Sequence, residues 1–184
     1  KNLSSMTFYD RGQMLKDIAL YLLERKKKYY KLSYKTGATH ADSWVDIEGG
    51  LGTFFTYSGL AKRMLPKTTF WVDGDVQKLS PNGTHLGTHI LTPSEGVSVQ
   101  INAYNFPVWG MLEKLSTSLL AGVPSVVKPS PFGSYLTYEV FKDMIESGFL
   151  PEGAIQLICG EPGNVLEYIQ DGDSVLFTGS ARTG

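Results

Sequence analysis

The chain has 184 residues, enough for one domain or slightly more. With 42% hydrophobic and 19% charged residues it has an ordinary globular composition, which excludes a disordered chain. Lys and Arg (17) balance Asp and Glu (18), so no charge excess points to nucleic acid, and the single cysteine forms neither an internal disulfide nor a zinc site. The apolar run Ile18–Leu23 is far short of the roughly 20 residues a membrane span requires. The chain starts at Lys1 and shows no signal-peptide pattern, so a cytoplasmic location is expected.

The first third reads helical. Met14, Leu15, Ile18, Ala19, Leu22 and Leu23 recur at the spacing of one helix face. The basic cluster Arg25–Lys28 is expected to end that helix as a solvated face, where cations meet the negative end of the macrodipole. A second helix is expected to start near Asp42 or Ser43 and to carry Trp44, Val45, Ile47, Leu51, Phe54 and Phe55. Gly49, Gly50 and Gly52 weaken it, unless they allow close packing against a neighbour.

Phe70–Val72 and Thr84–Thr92 flank the turn signal Pro81-Asn82-Gly83 and predict a long hairpin. His85 and His89 are expected to share one face of it, as part of an exposed or interface strand rather than as metal ligands. No metal is expected.

From residue 97 strands and helices alternate. Strands are predicted at 97–101, 123–128, 155–159 and 174–178, and helices at 106–120, 134–147 and 162–169. Pro107 fits a first helical turn and Gly148 a helix stop. This order predicts an α/β fold with a parallel sheet, and ligands in such sheets bind beyond the carboxyl ends of the strands.

After the first strand, Asn105 stands where a helix begins, either as an N-cap or as an amide donor to an oxyanion. After the second, Lys128 precedes Pro129-Ser130-Pro131, either as a surface lysine or as a ligand for a ribose or phosphate. After the third, Cys159-Gly160-Glu161-Pro162-Gly163 is a tight turn that lets backbone approach a ligand. Cys159 reads as a buried structural thiol. After the fourth, Phe177-Thr178-Gly179-Ser180 leads to Gly184, without the dinucleotide or P-loop fingerprints.

Together, Asn105-Phe106-Pro107, Val126-Val127-Lys128-Pro129-Ser130, the glycine turn after Ile158-Cys159, and Phe177-Thr178-Gly179-Ser180 resemble the cofactor-binding domain of the aldehyde dehydrogenase superfamily. Arg11, Leu15, Leu22, Glu24, Arg25 and Gly59-Leu60-Ala61 are similar to its N-terminal helices. The stretch Gln100–Lys114 most resembles the aldehyde dehydrogenase unit of phenylacetate-type ring-degradation enzymes, which oxidise a CoA-linked semialdehyde.

The resemblance implies an N-terminal helical part (1–69), an oligomerisation-type hairpin (70–92) and the βα units of an NAD(P)-binding domain (93–184). It implies that Asn105 holds the oxyanion and that Lys114 assists proton movement, although a helix lysine facing solvent is the plain alternative. It implies cofactor contacts from Ile101, Ala103, Tyr104, Lys128, Ser130, Pro131, Gly160, Gly163, Phe177, Thr178, Gly179, Ser180 and Thr183. Many NAD-preferring members carry Glu where this chain has Pro131, so NADP is expected to be favoured over NAD. The family's nucleophilic cysteine and general-base glutamate lie beyond the Phe-Thr-Gly-Ser motif, so this chain alone is expected to be inactive. A small-molecule aldehyde and a homodimer or higher homo-oligomer are the expected partners of the full-length protein, with neither nucleic acid nor membrane. The alternative is a nucleotide-binding or assembly module without chemistry of its own.

Overall fold

In the computed structural model, which describes residues 2–184, α1 spans Phe8–Ser33. A capping box starts it: the Asp10 N–H donates to Thr7 Oγ1 at 3.1 Å, and the Thr7 N–H reaches back to Asp10 Oδ2. The apolar stripe is buried at Met14, Leu15, Ile18, Ala19 and Leu22. The helix does not stop at the basic cluster. It continues to Ser33, because the cations there find partners on neighbouring elements. Lys28 lies 2.7 Å from Glu139 and 3.1 Å from Asp143, Lys26 lies 3.0 Å from Glu48, and the Arg25 guanidinium covers the Tyr21 ring.

The second helical segment begins earlier than its sequence suggests. Thr39 is the N-cap of α2 (His40–Trp44), and Asp42 completes its capping box from within the helix. One π-helical turn, Val45–Gly49, then leads into α3 (Gly50–Met64) without a break. Gly49 and Gly50 serve close packing, whereas a Cβ on Gly52 would meet nothing within 4 Å. A Cβ on Gly49 would stand 2.6 Å from the Trp109 ring, and one on Gly50 3.0 Å from the Trp109 Cα. Gly12 on α1 likewise meets Ala61 on α3, where an added Cβ would lie 2.5 Å from that of Ala61.

Strands β1 (Trp71–Lys78) and β2 (Leu86–Leu91) form the antiparallel hairpin, with an irregular register between Asp73 and Gln77. Trp71, Val72, Val76, Leu86, Ile90 and Leu91 are exposed on it. His85 directly precedes β2, its carbonyl accepting from the Leu79 N–H at 2.9 Å, and His89 lies within the strand.

The main sheet is parallel, in the order β5-β4-β3-β6: Ile155–Leu157, Ser125–Lys128, Ser98–Ile101 and Ser174–Phe177. The helices α4 (Pro107–Ala121) and α5 (Ser134–Glu146) connect β3 to β4 and β4 to β5. They pack with α1 and α3 around Met111, Leu112, Leu115, Leu119, Leu136, Val140 and Met144. After β5 the chain crosses to the far side of β3 to form β6, which makes β3 the point where strand order reverses. The segment expected as a helix at 162–169 holds only a 3-10 turn, Val165–Tyr168. Cys159 is exposed, not buried, because β5 is an edge strand that ends at Leu157.

Among the described residues, no helix is long and apolar enough to cross a membrane, and no group of three His, Cys, Asp or Glu side chains is placed to hold a metal.

Candidate functional site

The carboxyl ends of β3, β4 and β6 open into one cleft of about 610 Å³. Ladder bonds hold the three ends in register: the Asn102 N–H donates to the Lys128 carbonyl at 3.0 Å, and the Thr178 N–H to the Ile101 carbonyl at 2.9 Å. From β3 the cleft takes Ile101, Ala103, Tyr104 and Asn105; from β4, Lys128, Ser130 and Pro131; from β6, Phe177, Thr178, Gly179, Ser180 and Thr183. This is the crevice expected at a strand-order reversal. Gly160 (φ 86°) and Gly163 (φ 55°) sit at the far edge beyond β5 and do not line it.

Lys128 is buried, and its Nζ donates to the Pro129 carbonyl at 2.6 Å, so it is not a surface lysine. Asn102, also buried and lining the cleft, has neither amide atom partnered within the protein. A buried amide without partners is costly unless a ligand or water completes it. A sugar or phosphate bearing donors and acceptors fits that demand, so these residues suit a dinucleotide. Ser180 and Thr183 share a hydroxyl–hydroxyl contact of 2.9 Å in the turn after β6.

Asn105 does not cap α4. The N-cap is Phe106, a non-glycine residue at φ 53°, ψ 57°, and it makes no side-chain capping bond. The cap comes from another element. Asp46, buried on the π-helical turn, accepts through one oxygen from the N–H groups of Val108 (3.0 Å) and Trp109 (2.8 Å). Burial pushes the Asp46 carboxyl up to about 6, while the two N–H groups pull it down. Asn105 is exposed and thus free to face a ligand.

A second cavity, about 290 Å³, meets the cleft at Ala103, Asn105 and Thr178 and runs along α4 past Phe106, Trp109 and Glu113. Lys114 is buried rather than solvated. Its Nζ lies 3.2 Å from the Gly110 carbonyl and 3.2 Å from Glu113 Oε1, while the Trp109 indole N–H donates to Glu113 Oε2 at 3.0 Å. Sequence reasoning missed Asn102, Trp109 and Glu113, although the last two share a helix face by their four-residue spacing. It also missed Asp46, whose role depends on contacts across the fold.

The arrangement pairs a cofactor-sized cleft with a mostly apolar pocket, and the free amide of Asn105 lies at their junction. A family model described as the aldehyde dehydrogenase family matches residues 1–184. The chain is 36% identical over 182 residues to a 3,4-dehydroadipyl-CoA semialdehyde dehydrogenase of Aromatoleum evansii, covering 98% of this chain and 35% of that protein. It is 31% identical over 185 residues to a betaine aldehyde dehydrogenase of Bacillus subtilis, covering 98% and 36%. Among solved structures, a double mutant of Staphylococcus aureus betaine aldehyde dehydrogenase in complex with NAD+ superposes with a TM-score of 0.83 at 30% identity, covering 100% of this chain and 36% of the other. The chain thus spans about a third of the length of the relatives it matches. A family match along the whole chain and a shared fold lead to one conclusion: the chain belongs to the aldehyde dehydrogenase family.

Proposed function

We propose that the full-length protein oxidises an aldehyde to an acid with NAD(P), and that this chain supplies the cofactor cleft and one arm of the oxyanion hole. The observation that carries the reading is the position of Asn105. Its uncommitted amide lies where the cleft at the strand ends meets the apolar pocket along α4. When bound, the nicotinamide accepts hydride. Lys128, Asn102 and Ser180 hold and orient the cofactor's sugar and phosphate groups. Asn105 donates its amide N–H to the oxygen that gains negative charge as a thiolate attacks the aldehyde. Lys114, buried beside Glu113, moves or holds a proton near the pocket.

The substrate is a CoA-linked semialdehyde. The support is the likeness to the Aromatoleum evansii enzyme, and a pocket whose Glu113 charge is already paired by Lys114. Residues 1–69, 70–92 and 93–184 act as helical part, oligomerisation hairpin and NAD(P)-binding units. The exposed apolar residues of β1 and β2 support a homodimer or larger homo-oligomer.

The test is Asn105→Ala in the full-length enzyme. Losing one oxyanion donor costs about 10²–10³ in kcat. Cofactor affinity and melting temperature should stay close to wild type, because Asn105 makes no capping bond. A folded variant with unchanged kcat overturns the reading.

A further inference from the structure

A donor in an oxyanion hole works only if its position is held before the reaction begins. The chain around Asn105 has little local means of holding it. Phe106 sits in a left-handed conformation that non-glycine residues adopt at a cost, and no side chain within the segment caps α4. The restraint comes from elsewhere. On one side, Asp46 takes the N–H groups of Val108 and Trp109 at 3.0 and 2.8 Å. On the other, the Thr137 hydroxyl of α5 donates to the Pro107 carbonyl at 3.2 Å.

Asp46 is itself well placed for this. It lies on the only π-helical turn among the described residues, a feature frequent at functional sites. The turn is seated on α4 by Gly49 and Gly50, whose missing side chains leave room for Trp109. Asp46 also lines, with Tyr104, Asn105, Phe106 and Pro107, a cavity of about 350 Å³ beside the loop that leads into α4. A carboxylate at a helix N-terminus meets the positive end of the dipole as well as two otherwise unpaired N–H groups.

We infer that Asp46 is the positioning residue of the oxyanion hole: by clamping the first turn of α4 across the fold, it sets where the strained Asn105–Phe106 loop presents the Asn105 amide. The inference rests on the proposed role of Asn105, and it adds a residue that does not touch substrate or cofactor.

The test is a double-mutant cycle in the full-length enzyme, with Asp46→Ala, Asn105→Ala, the double variant and Asp46→Asn. Asp46→Ala should lower kcat at least about tenfold and leave cofactor Kd within about twofold, since a misplaced donor forfeits part of what its removal costs. Asp46→Asn keeps an acceptor oxygen and should restore most of the lost turnover. In the Asn105→Ala background, Asp46→Ala should lower kcat by less than about threefold, because the donor it positions is already gone. A merely structural role predicts the same factor in both backgrounds, and that result overturns the inference while leaving Asn105 in its role. If Asn105→Ala alone leaves kcat unchanged, the oxyanion reading falls and this inference falls with it. Should Asp46→Ala not accumulate as folded protein, Asp46→Ser, too short to reach both N–H groups, carries the same cycle.

Discussion

Lys128 turns its ammonium back onto the carbonyl of Pro129, one residue along the chain, at 2.6 Å. Both residues line the cleft at the ends of the parallel strands. The charge is buried, no acidic side chain is paired with it among the described residues, and Pro131 nearby brings no carboxylate. A cation so placed can exchange a carbonyl for a phosphate oxygen, and charge-assisted contacts of that kind are the strong ones.

The first prediction follows from this pair. A 2′-phosphate carries about −1.5 to −2 charge at neutral pH, and nothing at Pro131 repels it. The full-length enzyme should show a higher kcat/KM with NADP than with NAD. Pro131→Glu should erase or reverse the preference, and Lys128→Ala should weaken NADP more than NAD. Steady-state kinetics with both cofactors on the three proteins decide it. A wild-type preference for NAD that Pro131→Glu leaves untouched moves recognition of the 2′ position to other residues.

A second prediction concerns the single thiol. Cys159 is exposed beyond the edge strand β5 and does not line the cleft that holds Asn105. The 184-residue chain alone should show no aldehyde oxidation. Cys159→Ser should leave the circular dichroism spectrum, the melting temperature and cofactor binding as they were, since no core contact is lost. Aldehyde turnover by the isolated chain that disappears in Cys159→Ser would reassign the nucleophile.

The third prediction tests the packing of α1 against the end of α4. Arg11 is fully buried with all three guanidinium nitrogens unpartnered within the protein, its ring neighbour is Phe8 at 4.5 Å, and burial lowers its pKa to about 10. Its Nη1 occupies the space that a Cβ on Gly122 would need, and Gly122 has φ 87°. Gly122→Ala should therefore destabilise the fold by at least about 1–2 kcal/mol from the left-handed backbone alone, with displacement of Arg11 adding to it. Chemical denaturation of wild type and variant measures the difference, and a loss no larger than that backbone share rejects the close approach of Arg11.

Much of this protein is legible along the chain because local chemistry sets it. The alternation of apolar strands with amphipathic segments after residue 97 predicts parallel strands, and β3, β4, β5 and β6 pair in parallel within two residues of the predicted bounds. Pro107, Gly148 and the Asn82-Gly83 turn act through their own backbone preferences, which need no partner. The strand ends that carry Lys128, Asn105 and Thr178 follow from topology, because parallel strands bring their carboxyl ends to one side.

Other features depend on residues far apart in sequence. The basic cluster on α1 reads as a solvated stop, yet Lys28 meets Asp143 from a helix 115 residues away and the helix runs on. Asn105 looks like a cap by type and place, but the N–H groups of α4 go to Asp46, 62 residues earlier, which leaves the Asn105 amide uncommitted. Periodicity shows which residues are apolar and which backbones bend. Where a charged or amide side chain finds its partner is set by the packing of α1, α3, α4 and α5, because the cost of burying an unpaired polar group is settled only once the chain has folded around it.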